Sequence, residues 1–197
     1  MRDVMATCGE HARSKNGTSA CYVSNHGAGT TFTGTVTLTA YDHFGNGVGK
    51  VVESRPVAMQ AGPGALEWFS AELPPGNTSS VISTVHDAKG GNLMSEHMVQ
   101  LVKPMDMRVP VAKLSFKIAA AANTDGTIDI DVTSDKVALW VTLTTLAQGR
   151  FSDNAFFLPA TIKTVQFVPN SPSTSAHDLG ELKASLRIED FSMYRPL

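Results

Sequence analysis

The stretch T-I-D-I-D-V, residues 127–132, alternates apolar and polar side chains without interruption. A period of two sends successive side chains to opposite faces of a sheet, so one face buries Ile128, Ile130 and Val132 and the other keeps its carboxylates in water. The same rhythm runs through Thr35-Val36-Thr37-Leu38-Thr39-Ala40-Tyr41 and through Leu182-Lys183-Ala184-Ser185-Leu186-Arg187-Ile188-Glu189. Ala138 to Leu143 and Lys163 to Val168 are rich in β-branched and aromatic residues and read as further strands. No window of helical length carries a persuasive apolar stripe. The run Ala119 to Ala122 comes nearest, and it stops at the turn cluster Asn123-Thr124-Asp125-Gly126.

Turns punctuate these strands at His43-Phe44-Gly45-Asn46-Gly47, Ala61-Gly62-Pro63-Gly64, Leu73-Pro74-Pro75-Gly76-Asn77 and Lys89-Gly90-Gly91-Asn92. Short strands between Gly- and Pro-bearing turns predict an all-β chain of antiparallel sandwiches and not alternating βα units. A chain of 197 residues has room for two domains of about 100 residues, each able to close its own core. The segment Lys103-Pro104-Met105-Asp106-Met107-Arg108-Val109-Pro110 lacks periodicity and is bracketed by prolines. Two antiparallel β-sandwiches in tandem are therefore expected, residues 1–105 and 106–197.

A formal charge of -2 with 17% charged residues leaves no basic excess to neutralise phosphates, so nucleic acid is excluded as a partner. No apolar run reaches the roughly 20 residues of a membrane helix, and the opening M-R-D-V-M-A-T-C-G-E-H has no secretory h-region. Taken with Met1 as a true start, the chain reads as cytosolic. Cys8 and Cys21 are too few for a disulfide framework and lack zinc-ligand spacing, and read as two small thiols ahead of a bridge. Asn16-Gly17-Thr18 and Asn77-Thr78-Ser79 match the N-glycosylation acceptor pattern.

Local catalytic signatures are missing: no G-x-S-x-G, no H-E-x-x-H, no G-x-x-x-x-G-K and no G-x-G-x-x-G. The six histidines (His11, His26, His43, His86, His97, His177) never stand at metal-ligand spacing. His86-Asp87 falls at a strand end and reads as a turn pair. Trp140 sits mid-strand and reads as core, and Trp68 lies nearer to turns and is weighed between packing and binding. No catalytic, cofactor-binding or metal residue is assigned.

One segment concentrates polar chemistry between apolar runs: Gly149-Arg150-Phe151-Ser152-Asp153-Asn154, followed by Ala155-Phe156-Phe157-Leu158. Ser, Asp and Asn are what a strand corner is built from, because their side chains bond nearby backbone. Ser152, Asp153 and Asn154 are expected to hold the corner through local backbone N–H groups. Arg150 is expected to pair with Asp153 or a neighbouring strand, and Phe151, Phe156 and Phe157 to fill the core.

With its flanking strands, and with the ending E-D-F-S-M-Y at residues 189–194, this segment resembles the C-terminal immunoglobulin-like domain of β-mannosidases in family 2 of the glycoside hydrolases. The first half is similar to the preceding immunoglobulin-like domain, through C-Y-V-S-N-H-G and the long alternating strand after it. Ala155 stands where relatives often carry Gly. The resemblance implies a parent enzyme that removes terminal β-linked mannose with retention, using two barrel glutamates about 5–5.5 Å apart. This chain has no Asn-Glu dipeptide and no room for a (β/α)₈ barrel of about 250 residues. The implied partner is that missing catalytic barrel, the implied ligand a mannose-containing oligosaccharide, and the chain alone is expected to be inactive. A eukaryotic parent would place it in the lysosome. The alternatives are a free-standing carbohydrate-binding or interaction module, and the same region of an exo-β-glucosaminidase or endo-β-mannosidase. A composition of only 7% aromatic residues gives the binding-module reading little support.

Overall fold

In the computed structural model the alternating segments Thr35–Tyr41 and Ile128–Val132 lie in strands whose apolar side chains point inward. Residues 4–8, 18–26, 31–43, 48–60, 65–72, 79–103, 109–171 and 175–194 are described. The fold is all-β and antiparallel, as the periodicity predicts, and the chain divides into two compact units, Met1–Met107 and Arg108–Leu197.

The first unit contains β1 (Val4–Cys8), β2 (Thr18–Asn25), β3 (Phe32–Tyr41), β4 (Lys50–Met59), β5 (Ala65–Glu72), β6 (Ser80–Asp87) and β7 (Leu93–Gln100). One sheet has the order β1-β2-β5 and the other β4-β3-β6-β7. In β3 every second residue from Phe32 to Ala40 is buried. Val36 and Leu38 meet Val23, Phe69, Val81 and Val85 in the core. Two polar contacts tie the sheets together. Ser83 Oγ on β6 donates to the Ala6 carbonyl on β1 at 2.6 Å, and the Arg55 guanidinium on β4 stands 5.0 Å from the centroid of the Phe69 ring on β5.

Cys21 is fully buried and disulfide-bonded, and among the described residues no cysteine is free. This corrects the reading of two thiols. The physical reason is register: β1 and β2 pair so that Cys8 lies directly opposite Cys21, and in an antiparallel ladder facing residues are within disulfide reach. Their separation in sequence did not reveal a hairpin of that register.

The second unit contains β8 (Leu114–Ile118), β9 (Ile128–Ser134), β10 (Ala138–Thr144), β11 (Gly149–Phe151), β12 (Phe156–Leu158), β13 (Ile162–Pro169), helix α1 (Ser175–Ser185) and β14 (Arg187–Glu189), then a 3₁₀ turn at Phe191–Met193. Its sheets have the orders β11-β13-β9-β8 and β12-β10-β14. Ile128, Ile130 and Val132 are fully buried, as the opening alternation requires, against Val165, Phe167, Val141 and Leu158.

The first half of the expected strand Leu182–Glu189 is instead the end of helix α1. Leu179, Leu182 and Leu186 recur at i, i+3 and i+7, which is also one face of a helix. That face packs on the core, with Leu182 fully buried. The Leu186 N–H still donates to the Leu182 carbonyl, and only Arg187–Glu189 continues as strand. Two periods fitted one stretch, and core burial selected the helical one.

Candidate functional site

The polar corner lies where the chain leaves one sheet of the second unit for the other. β11 pairs with β13, matching Phe151 to Phe167, and β12 pairs with β10, matching Val141 to Phe156. The four residues between Phe151 and Phe156 make the crossing. Ser152 extends the first ladder by one position: its N–H donates to the Gln166 carbonyl at 2.7 Å, and its Oγ accepts from the Gln166 N–H at 2.9 Å. Asn154 extends the second ladder. Continuing the Val141–Phe156 register by two residues sets Asn154 opposite Leu143. There its side-chain amide replaces a strand, Oδ1 accepting from the Leu143 N–H at 2.8 Å and Nδ2 donating to the Leu143 carbonyl at 3.0 Å.

These bonds reach the neighbouring strands, whereas local backbone partners were expected. The one local bond runs from the Ala155 N–H to Asn154 Oδ1. Asp153 pairs with Lys163 Nζ at 2.7 Å, which corrects the expected pairing with Arg150. β13 brings Lys163 alongside the corner, where its ammonium also lies 4.6 Å from the centroid of the Phe156 ring. Gly149 opens the segment under a close approach: a Cβ there would stand 2.5 Å from both the Phe167 ring and the Val168 carbonyl oxygen. Phe156 joins the core of this unit and Phe151 packs on its edge, whereas Phe157 is buried outside that cluster. Phe151 and Phe167 meet edge to face with centroids 5.6 Å apart.

Elsewhere Asp87 builds a turn. Its carboxylate accepts from the Gly90 N–H at 2.8 Å and from Asn92 Nδ2 at 3.0 Å, and the Asn92 side chain, then the Gly90 N–H, hold its pKa below the usual carboxylate value. On α1, His177, Asp178 and Glu181 bring ligand-type atoms within 4.8 Å of one another. The buried Asp178 lies in the first turn, where a carboxylate complements the helix dipole. Asn16 and Asn77 lie outside the described residues. Trp68 sits in β5 opposite Tyr22.

Trp140 departs from the core reading. The register between β10 and β12 shifts between Ala138 and Val141, and within that bulge Trp140 takes φ 52, in the left-handed region. Its ring is half-buried and meets Phe191 edge-on at 4.9 Å between centroids. The two line a cavity of about 270 Å³ with Thr142, Glu189, Asp190 and Tyr194. Asp190 is 2% exposed. Its Oδ1 accepts from Ser192 Oγ at 2.8 Å, and its Oδ2 is buried with no hydrogen-bond partner. Burial raises the Asp190 pKa, with the Ser192 hydrogen bond acting against the rise. The Tyr194 hydroxyl donates to Glu189 Oε2.

The second unit is thus an immunoglobulin-type sandwich whose polar corner stitches its two sheets. Residues 111–194 match the family model of the Ig-fold domain of mannosidases. Two solved structures show the same fold over nearly all of the chain. The β-D-mannosidase from Dictyoglomus thermophilum aligns with 96% of this chain and 22% of its own length, at 17% identity and a TM-score of 0.71. The exo-chitosanase of Amycolatopsis orientalis aligns with 96% of this chain and 25% of its own, at 16% identity and a TM-score of 0.54. The chain therefore spans about a quarter of the length of these neighbours. No curated protein matches it by sequence. It resembles the immunoglobulin-like part of family 2 glycosidases.

Proposed function

We propose that the chain is the non-catalytic immunoglobulin-like portion of a β-mannosidase, two sandwich domains that buttress a catalytic barrel carried outside these residues. The observation that carries this reading is the mannosidase Ig-fold match over residues 111–194, joined to a corner whose polar groups are spent on strand ends. Ser152 and Asn154 are committed to the backbone of Gln166 and Leu143, and Asp153 to Lys163. Bond cleavage is assigned to the barrel and corner-building to Gly149 through Asn154.

The experiment is to read the coding sequence that flanks this chain in its genome and to assay the encoded whole enzyme on chromogenic β-mannoside and β-glucosaminide. A barrel with two glutamates and turnover of the mannoside is the expected result. Flanking sequence without a glycosidase barrel overturns the reading, and so does turnover of either glycoside by the chain alone. Preference for the glucosaminide would move the parent to the exo-β-glucosaminidases, which the Amycolatopsis likeness makes the second reading. The buried disulfide of the first unit favours passage through an oxidising compartment, in keeping with a lysosomal parent if that parent is eukaryotic.

A further inference from the structure

The strands at the margins of the second unit are not equally closed to a neighbour. β11, β12 and β14 have three residues each and offer little backbone. β8 has five and pairs on one side only, with β9, in an unbroken register from Leu114 opposite Ser134 to Ile118 opposite Ile130. The Ala119 N–H continues that ladder by donating to the Asp129 carbonyl at 2.9 Å. Backbone groups alternate in direction along an antiparallel strand, so the odd-numbered residues serve β9, and the N–H and C=O of Leu114, Phe116 and Ile118 point away from it. Among the described residues these groups have no backbone partner. Natural edges are blunted by proline, a bulge or an inward charge, and β8 carries none of these. Its side chains add a second sign. Leu114 and Ile118 pack against the core, whereas Phe116, on the same face between them, lies outside that cluster and is 38% exposed.

We propose that β8 is a homotypic docking edge, to which a second copy of this chain adds its own β8, antiparallel about a two-fold axis at Phe116. The sequence L-S-F-K-I, residues 114–118, reads apolar, polar, aromatic, polar, apolar in either direction, which is the self-complementarity that an isologous contact requires. The axis sets Leu114 opposite the second copy's Ile118 and Phe116 opposite its own counterpart. The outward backbone groups then exchange hydrogen bonds, and the two exposed rings cover each other. Charge favours the same partner. Lys117, the charged residue of the strand, meets the second copy's Ser115 on the outer face, so like charges do not oppose each other across the seam. A strand pair of five residues buries far less than the roughly 1,200 Å² of a stable interface, so the dimer is weak and forms at high concentration. This association goes beyond the buttress role and belongs to the chain itself, whichever parent carries it.

The test follows the average mass of the full chain by sedimentation equilibrium from about 10 μM to about 1 mM, a span that brackets weak association, with amide exchange of β8 read by NMR. Mass should rise toward the dimer, and the Phe116 and Ile118 amides should exchange more slowly as concentration rises. Two substitutions at the exposed Ser115 should move the equilibrium in opposite directions. Ser115→Lys sets like charges face to face across the seam and weakens the dimer about threefold or more, and Ser115→Glu sets a carboxylate against the second copy's Lys117 and tightens it by about as much. Phe116→Pro removes an N–H that β9 does not use, and should abolish association while sparing the β8–β9 ladder. A monomer throughout the range overturns the proposal. So does a dimer whose concentration-dependent protection lies outside β8, and so does a dimer that Ser115→Lys and Ser115→Glu shift alike.

Discussion

The described residues of both units divide seven strands into sheets of three and four, yet the two units close themselves by different chemistry. In the first, β3 and β4 run for ten residues each, ladders carry the backbone hydrogen bonds, and a disulfide fastens β2. In the second, β11 and β12 have three residues each, because the chain changes sheet between Phe151 and Phe156. Short strands leave backbone groups beyond their ends, and those groups need partners. Ser152 and Asn154 supply them. Both left-handed non-glycine residues described, Trp140 and Ala155, also lie in the second unit. A covalent staple serves where strands are long, and side-chain amides with local strain serve where the path is interrupted.

The staple is where the comparison breaks most heavily. Counting two cysteines in the chain, the bridge closes the segment from Cys8 to Cys21, and a loop of that size contributes about 3 kcal/mol by restricting the unfolded chain. Cys21→Ser should lower the stability of the first unit by that amount and leave the second unchanged. Segment-resolved hydrogen exchange checks it, and equal loss of protection in both units would contradict the division of labour.

Acid should separate the units next. His43 is fully buried, its Nε2 2.8 Å from Ser80 Oγ, and burial lowers its pKa to about 4, with Asp42 acting in the opposite direction. The unfolded chain takes up a proton near the ordinary histidine value of about 6.5 and the folded one does not until about 4, so the first unit loses about 3 kcal/mol as pH falls through that window. Asp190 in the second unit has the opposite sign. Its raised pKa makes the folded state hold the proton longer, so its contribution grows as pH falls into the carboxylate range. Asp87 and Asp125, one in each unit, are both held low by turn hydrogen bonds and lose on protonation, so they act alike in the two units. Exchange protection measured from pH 7 to pH 4 should fall faster in the first unit, and His43→Gln should remove most of that difference.

Within the corner, Asn154 and Asp153 sharpen the contrast between a strand substitute and a surface ion pair. Asn154→Ala removes both bonds to Leu143 and should cost about 1–2 kcal/mol. Asp153→Ala breaks a pair whose carboxylate is 46% exposed, for about 0.5 kcal/mol or less. Chemical denaturation ranks the two, and an Asp153 effect equal to that of Asn154 would require a role for the carboxylate beyond the pair.

The fold was legible where burial has one period and one face. Ile128, Ile130 and Val132, and the β3 residues from Phe32 to Ala40, alternate in sequence and in burial alike. What stayed hidden depends on residues far apart in the chain. Cys21 reads as a thiol until β1 is set beside β2. Asp153 reads as a partner for Arg150 until β13 delivers Lys163. Glu189 and Asp190 join Trp140 only because β14 pairs with β10, matching Glu189 to Thr142. The Leu182 stretch misled for a different reason, since its leucines satisfy a helix while its polar residues satisfy a strand.

The smallest expected effect has the opposite sign. Ala155 sits at φ 57, where an L-residue crowds its own carbonyl at a cost of roughly 1–2 kcal/mol and glycine escapes that cost. Glycine also raises the entropy of the unfolded chain, worth about 0.4–1 kcal/mol against it. Ala155→Gly should therefore stabilise the second unit by about 0.5 kcal/mol, read as a small upward shift in its denaturation midpoint. The Asn154 amide takes part in that balance, because its Oδ1 accepts the Ala155 N–H as well as that of Leu143. The left-handed turn at Ala155 and the strand substitute at Asn154 are then one device. Combining Ala155→Gly with Asn154→Ala should shrink the gain, since without the amide nothing fixes the turn that glycine relieves. Strict additivity of the two changes would show that the strain and the stitch are independent.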